Sequence, residues 1–230
     1  MLDSPSSTHL LGTDDLGRDV FSRLIHGASA SVYAAVLAVS VATVLGVPVG
    51  LIAGYAGGWI DQIISRILDT FLSFPAIVLA IAVTGVLGIG LTNAMLSVGI
   101  VFAPQLARLV RARALVLKQE LYVEASQCFG ASSGWILMRH ILPNAIQPVL
   151  VQITLLMAVG LLAEASLSFL GLGMQPPDPS WGSMIARAYV YAQIAPAQMY
   201  APGIAILITA LAFNTVGESL REALDPTSRN

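Results

Sequence analysis

Charge is what this sequence has least of. Only 10% of its 230 residues are Asp, Glu, Lys or Arg, against about 25% in soluble domains. With 56% hydrophobic residues and a mean hydropathy of +0.79, the composition argues against a water-soluble fold. Lysine is almost absent. A P-loop needs a lysine directly after Gly-x-x-x-x-Gly to neutralise phosphates, and the single lysine, Lys118, follows Leu117. The chain therefore brings no ATPase site, and any ATP chemistry must sit on another polypeptide. A net charge of −2 leaves no basic footprint for nucleic acid. One cysteine, Cys128, permits neither an intrachain disulfide nor a cysteine-based zinc site. Without a His/Cys cluster, no metal site is expected. Residues 1–10 lack a basic stretch followed by an apolar core, so they do not read as a cleavable signal peptide.

Long uncharged runs are what the sequence does have. None of Asp, Glu, Lys or Arg occurs between Arg23 and Asp61, Asp69 and Arg108, His140 and Glu164, or Ala188 and Gly217. A bilayer core takes about 20 helical residues, so the second run holds two spans around a break at Gly88 to Asn93. Five helices are predicted, near 29–56, 71–88, 93–112, 144–169 and 201–219. The runs lack the alternation of barrel strands. The fold class is all-α, a polytopic transmembrane bundle forming one domain over 1–230.

Arginine and lysine orient it. One side receives Arg18, Arg23 and Arg187; the other receives Arg66, Arg108, Arg111, Arg113, Lys118, Arg139, Arg221 and Arg229. The richer side should be cytoplasmic. That makes 1–28 an external N-terminal segment, 113–143 a cytoplasmic loop, 170–200 an external loop, and the C-terminus cytoplasmic. Starting an odd number of spans outside suggests that a further span precedes this sequence or is supplied elsewhere.

Within the spans, Gly46, Gly50, Gly54 and Gly58 recur at fours. That stripe fits ordinary tight packing or an interface in a moving bundle. Pro48, Pro75, Pro104 and Pro148 mark kinks or boundaries. Glu164 has two readings: a polar element of a translocation path, or a carboxylate near the external helix end bonded to Ser166 or Ser168. A mid-bilayer charge costs roughly 2.5–3.5 kcal/mol, which favours the second. Asn214 is a further candidate for the path. Pro176, Pro177, Asp178 and Trp181 in the outer loop are candidates for docking a partner, or a stiff loop with Trp181 as interfacial anchor. His26 beside Ser29 and Ser31 suggests a membrane enzyme only weakly, because nothing orients the histidine.

The most informative stretch lies between Arg113 and Asn144. Leu117, Leu121, Ala125 and Phe129 share one helical face. Gly130 then suits a helix C-terminus, and Ser132 or Ser133 can cap a second short helix through Arg139. Two short helices meeting at a glycine suit a groove on a partner; an amphipathic hairpin lying on the membrane is the alternative.

Glu124-Ala125-Ser126, three residues, Gly130, and after a gap Leu142-Pro143 resemble the EAA loop of binding-protein-dependent importer permeases. That pattern is Glu-Ala-Ala, three residues, Gly, nine residues, Ile, one residue, Leu-Pro. Ser126 replaces its second alanine and His140 its isoleucine, with the spacing intact. From about Leu11 to Asp225 the chain also resembles the second (C-type) permease subunit of dipeptide, oligopeptide and nickel importers. The residues are Leu11-Gly-Thr-Asp-Asp-Leu-Gly-Arg-Asp-Val, Ala53-Gly-Tyr-Ala-Gly-Gly-Trp, Glu164-Ala-Ser-Leu-Ser-Phe-Leu-Gly-Leu-Gly, Pro176-Pro-Asp-Pro-Ser-Trp-Gly and Leu220-Arg-Glu-Ala-Leu-Asp-Pro.

The resemblance implies a permease of an ATP-binding-cassette (ABC) importer in a bacterial or archaeal cytoplasmic membrane, usually with one more helix before Leu11. Implied partners are a second permease, two ATPases that carry ATP and magnesium, and an extracytoplasmic binding protein. The coupling loop to the ATPases would use Leu121, Glu124, Ala125, Ser126, Phe129, Gly130 and Ala131. Peptides are the preferred cargo, nickel or another small solute the alternative. An ion-coupled secondary transporter is the rival class.

Overall fold

A computed structural model describes residues 2–224. Among these the chain is helical, and its one β-type pairing joins Thr13 to Asp19. The helices are α1 Val20–Ala56, α2 Gly58–Leu72, α3 Ala76–Leu87, α4 Leu91–Leu117, α5 Leu121–Cys128, α6 Ser133–Ile136, α7 Leu142–Phe169, α8 Trp181–Tyr189 and α9 Ala197–Leu224, with a π-helical turn over Leu137–Ile141. Four helical stretches are long and apolar enough to cross a membrane, namely α1, α4, Ser133–Phe169 and α9; α2 and α3 together make a bent fifth.

Five apolar segments are thus present, with corrected bounds. Helix α1 begins at Val20, not near residue 29, because the Asp19 carboxylate accepts the Ser22 N–H at 2.7 Å and caps it. The span expected at 71–88 is the larger correction. The chain turns by 94° between α2 and α3, and only the 12 residues of α3 follow the turn. Pro75 has no N–H to continue the helix and disfavours helical backbone at Phe74. A run without charge reports length and says nothing of direction. Before the turn, α2 is fastened to α4: Arg111 forks over the Asp61 carboxylate, with Nη2 to Oδ2 at 2.7 Å, and Arg108 reaches Asp69 at 2.6 Å.

The second short helix expected through Arg139 is not a separate element. Helix α6 passes through the π turn into α7, giving one helical stretch from Ser133 to Phe169. A wider π register lets it pass Pro143, which cannot donate to the Arg139 carbonyl. The 170–200 segment also holds a helix, α8, whose start is fixed by a Ser180/Ser183 capping box.

Helices α1 and α4 form the central pair. A Cβ on Gly46 would lie 2.6 Å from the Ala103 carbonyl oxygen, and one on Gly54 2.7 Å from that of Arg111. The helices therefore meet backbone to backbone, with Met95, Val98, Leu106 and Val110 buried beside the seam. Gly46, Gly50 and Gly54 belong to this contact; Gly58 instead opens α2, at φ 55°. A second apolar cluster, including Val20, Leu161, Trp181, Met184 and Ile206, gathers α1, α7, α8 and α9.

Each end of the bundle collects the segments that the alternation of spans placed on one side. At one end the Gln198 amide donates to the Thr13 carbonyl at 2.6 Å and the Gly90 N–H to Leu172 at 3.1 Å, joining the N-terminal segment, the α3–α4 turn and the α7–α9 connection. At the other, Lys118 Nζ donates to the Tyr55 carbonyl at 2.7 Å, tying the end of α4 to the end of α1. Arg229 and the final Asp225-Pro226 of the quoted motif lie outside the described residues.

Candidate functional site

The 113–143 connection is anchored by a few buried apolar residues and presents others outward. Helix α5 buries one side chain, Val123, which joins the cluster containing Ile136 and Ile141. Leu121 and Phe129, on the opposite face, are 81% and 92% exposed. Ala125 and Glu124 are exposed as well, and Ser126 is half-buried. Trp135 and Met138, at the base of the α7 stretch, are exposed as well. An 8-residue helix is too short to be stable on propensity alone; its anchor is Val123, which the i, i+4 face of Leu121 and Ala125 did not reveal.

The turn after α5 is a Schellman motif. Ala131 N–H donates to the Ser126 carbonyl and Gly130 N–H to Gln127, both at 3.0 Å, with Gly130 at φ 80°. The left-handed backbone expected at Gly130 is present. A Cβ there would meet nothing within 4 Å, so conformation, not crowding within this chain, is what calls for glycine. Of the two serines considered as the next cap, Ser132 takes the role, accepting from Trp135 N–H at 3.4 Å.

The two departures from the EAA pattern touch each other. Ser126 Oγ lies 3.3 Å from His140 Nε2 while donating to the Tyr122 carbonyl. The imidazole stands edge-on to Trp135, with ring centroids 4.8 Å apart, and near Tyr122 at 5.6 Å. This link between α5 and the π turn was missed in the sequence, where the only signal was that both departures fall in one motif.

Glu164 is 0% exposed. Ser168, one of the two expected partners, donates to its Oε1 at 2.7 Å, and Ser31 of α1 donates to Oε2 at 3.2 Å. Ser166 bonds the Leu162 carbonyl instead. Ser31 also accepts the Trp181 N–H at 3.0 Å, so the carboxylate joins α1, α7 and the start of α8. Within this chain it faces no open surface. Asn214 is half-buried on α9.

Trp181 requires a correction. It is 6% exposed, and its indole N–H donates to the Leu24 carbonyl at 2.9 Å, so the ring expected on the outer loop surface packs inside the bundle. The capping box turns the first residue of α8 inward. Pro176, Pro177 and Asp178 remain exposed. The Ser29 side chain bonds the His26 backbone carbonyl and the His26 ring that of Ser22, so the hydroxyl and the imidazole are not bonded to each other.

These features define a class: a polytopic helical membrane protein with a short loop helix, α5, flanked by the exposed side chains of Leu121 and Phe129. Residues 46–230 match the family of the binding-protein-dependent transport system inner membrane component, and the chain belongs to that family. It is 44% identical over 229 residues to the dipeptide transport system permease protein DppC of Alkalihalophilus pseudofirmus, covering 100% of this chain and 75% of that one. It is 46% identical over 224 residues to the glutathione transport system permease protein GsiD of Pectobacterium atrosepticum, covering 97% and 74%. Among solved structures, a crystal form of the inward-facing MetNI methionine ABC transporter shares the fold, with TM-score 0.73, 21% identity, and coverage of 89% of this chain and 97% of that one. An amino acid ABC transporter crystallised with histidines does so at TM-score 0.66 and 17% identity, covering 89% and 95%.

Proposed function

We propose that this chain is one of two permease subunits of an ATP-driven peptide importer, energised by ATPases that grip the α5 to Gly130 loop. The observation that carries the proposal is α5 itself: a short helix anchored by one valine and shaped by a left-handed glycine, with Leu121 and Phe129 turned to solvent. An apolar face left bare at the basic end of the bundle suits a groove on a cytoplasmic ATPase. Dipeptides or tripeptides of the glutathione type are the cargo that the relatives support. A second permease completes the path, and a binding protein delivers substrate at the end bearing Pro176, Pro177 and Asp178. ATP and magnesium belong to the ATPases.

The test is Gly130→Val in the assembled complex. A β-branched residue at φ 80° opposes the turn by about 1–2 kcal/mol, and the site lies outside the spans. Membrane insertion should be normal while ATPase co-purification falls, or ATP hydrolysis continues without transport. Wild-type co-purification, hydrolysis and uptake would instead favour an amphipathic hairpin lying on the membrane.

A further inference from the structure

Two amides, well inside the long apolar helices α4 and α7, line one cleft. Gln105 is near the middle of α4, and Gln152 is about 15 Å along α7 from Leu142 at 1.5 Å per residue. Together with Arg108 they line a cavity of about 380 Å³. Through Leu109 and Gln152 it continues into a second, of about 500 Å³, reached by Arg113, Gln147 and Arg221. Among the described residues, no carboxylate lines either cavity. Arg108 is held by Asp69 at 2.6 Å; Arg113 and Arg221 pair with no carboxylate among the described residues.

We infer that this cleft between α4, α7 and α9 is the inner part of the translocation path in this subunit, and that it receives a peptide with a free C-terminal carboxylate. The inference rests on the importer reading above. Primary amides left against lipid tails are costly, whereas a water-filled path satisfies them, and a peptide backbone offers the donors and acceptors that an amide pairs with. Arg113 and Arg221 at the mouth supply positive charge for the carboxylate. Phospholipid phosphate shares that oxyanion chemistry at the mouth, but its acyl chains cannot pair with Gln105 or Gln152.

The test uses the whole complex in proteoliposomes with binding protein and ATP. ATP-driven uptake of a dipeptide by the wild-type complex establishes the importer reading by itself; its absence sinks that reading before any variant is made. Gln105→Leu and Gln152→Leu should each lower uptake at least tenfold while the ATPases still co-purify, and Gln152→Asn should recover much of it. In Arg113→Gln/Arg221→Gln, the preference for a free-carboxylate dipeptide over its C-terminal amide should disappear equally in neutral and in anionic lipid. Wild-type uptake by both leucine variants would overturn the path assignment. A preference that tracks anionic lipid content would assign the arginines to headgroups and overturn the carboxylate.

Discussion

Glu164 shows how a bundle accommodates a carboxylate: two hydroxyls, from Ser31 and Ser168, donate to it where no surface is exposed. Ser168 was legible as its i+4 neighbour, while Ser31 is 133 residues away and entered only with the fold. Glu164→Gln keeps the shape and an acceptor, so substantial transport should remain. Glu164→Leu strands the hydroxyls, and thermal unfolding of the purified complex should show a loss of about 1–3 kcal/mol. Complete loss of transport in a normally assembled Gln variant would return Glu164 to the path. Asp14 gives a pH test. Burial opposes its charge, but hydrogen bonds from the Arg18 side chain and backbone and from the Leu16 N–H outweigh it and hold the carboxyl below its usual value. A depressed carboxylate contributes above the unfolded value of about 4 and loses that contribution as pH falls through the lower folded value. Hydrogen exchange over residues 11–19 should therefore speed up on acidification below about pH 4 beyond its intrinsic pH dependence, and Asp14→Asn should abolish that extra change.

Elements were legible where the pattern is local. Four of the five apolar segments were found from charge-free length, and their ends moved by caps such as Asp19 or by continuation through the π turn. The α2–α3 bend was not legible, because Pro75 marks a boundary without giving its angle. The Gly46/Gly50/Gly54 stripe was visible, but its partner helix α4 was not. Gly50→Val should drive a side chain into the Ala107 backbone and abolish monodisperse assembly, whereas Gly85→Ala on α3, with nothing within 4 Å, should assemble normally. Size-exclusion chromatography of the two variants decides it; normal assembly of the valine variant would mean that the seam is looser than described. Between α5 and the π turn, a double-mutant cycle of Ser126→Ala and His140→Ile should give a coupling of about 0.5–1.5 kcal/mol, and additivity would remove the link.

At the scale of the whole molecule, the segments gather at two ends as the alternation of spans requires, and the count of basic residues is the argument for which end faces the cytoplasm. Labels at Thr8 and Asp178 should react from outside and one at Gln119 only from inside; outside reaction at Gln119 would reverse the orientation and remove α5 from the ATPases. The face of Leu121, Ala125 and Phe129 was readable from its spacing, whereas the inward turn of Val123 and the amide cleft were not, since both depend on which side each helix turns to its neighbours. The central claim is that this chain moves peptide only when ATPases drive it. The direct measurement is dipeptide uptake into proteoliposomes containing either the full complex or this chain alone. Uptake that requires the second permease, the ATPases, the binding protein and ATP hydrolysis is the expected result; uptake by the chain alone under an ion gradient would contradict it.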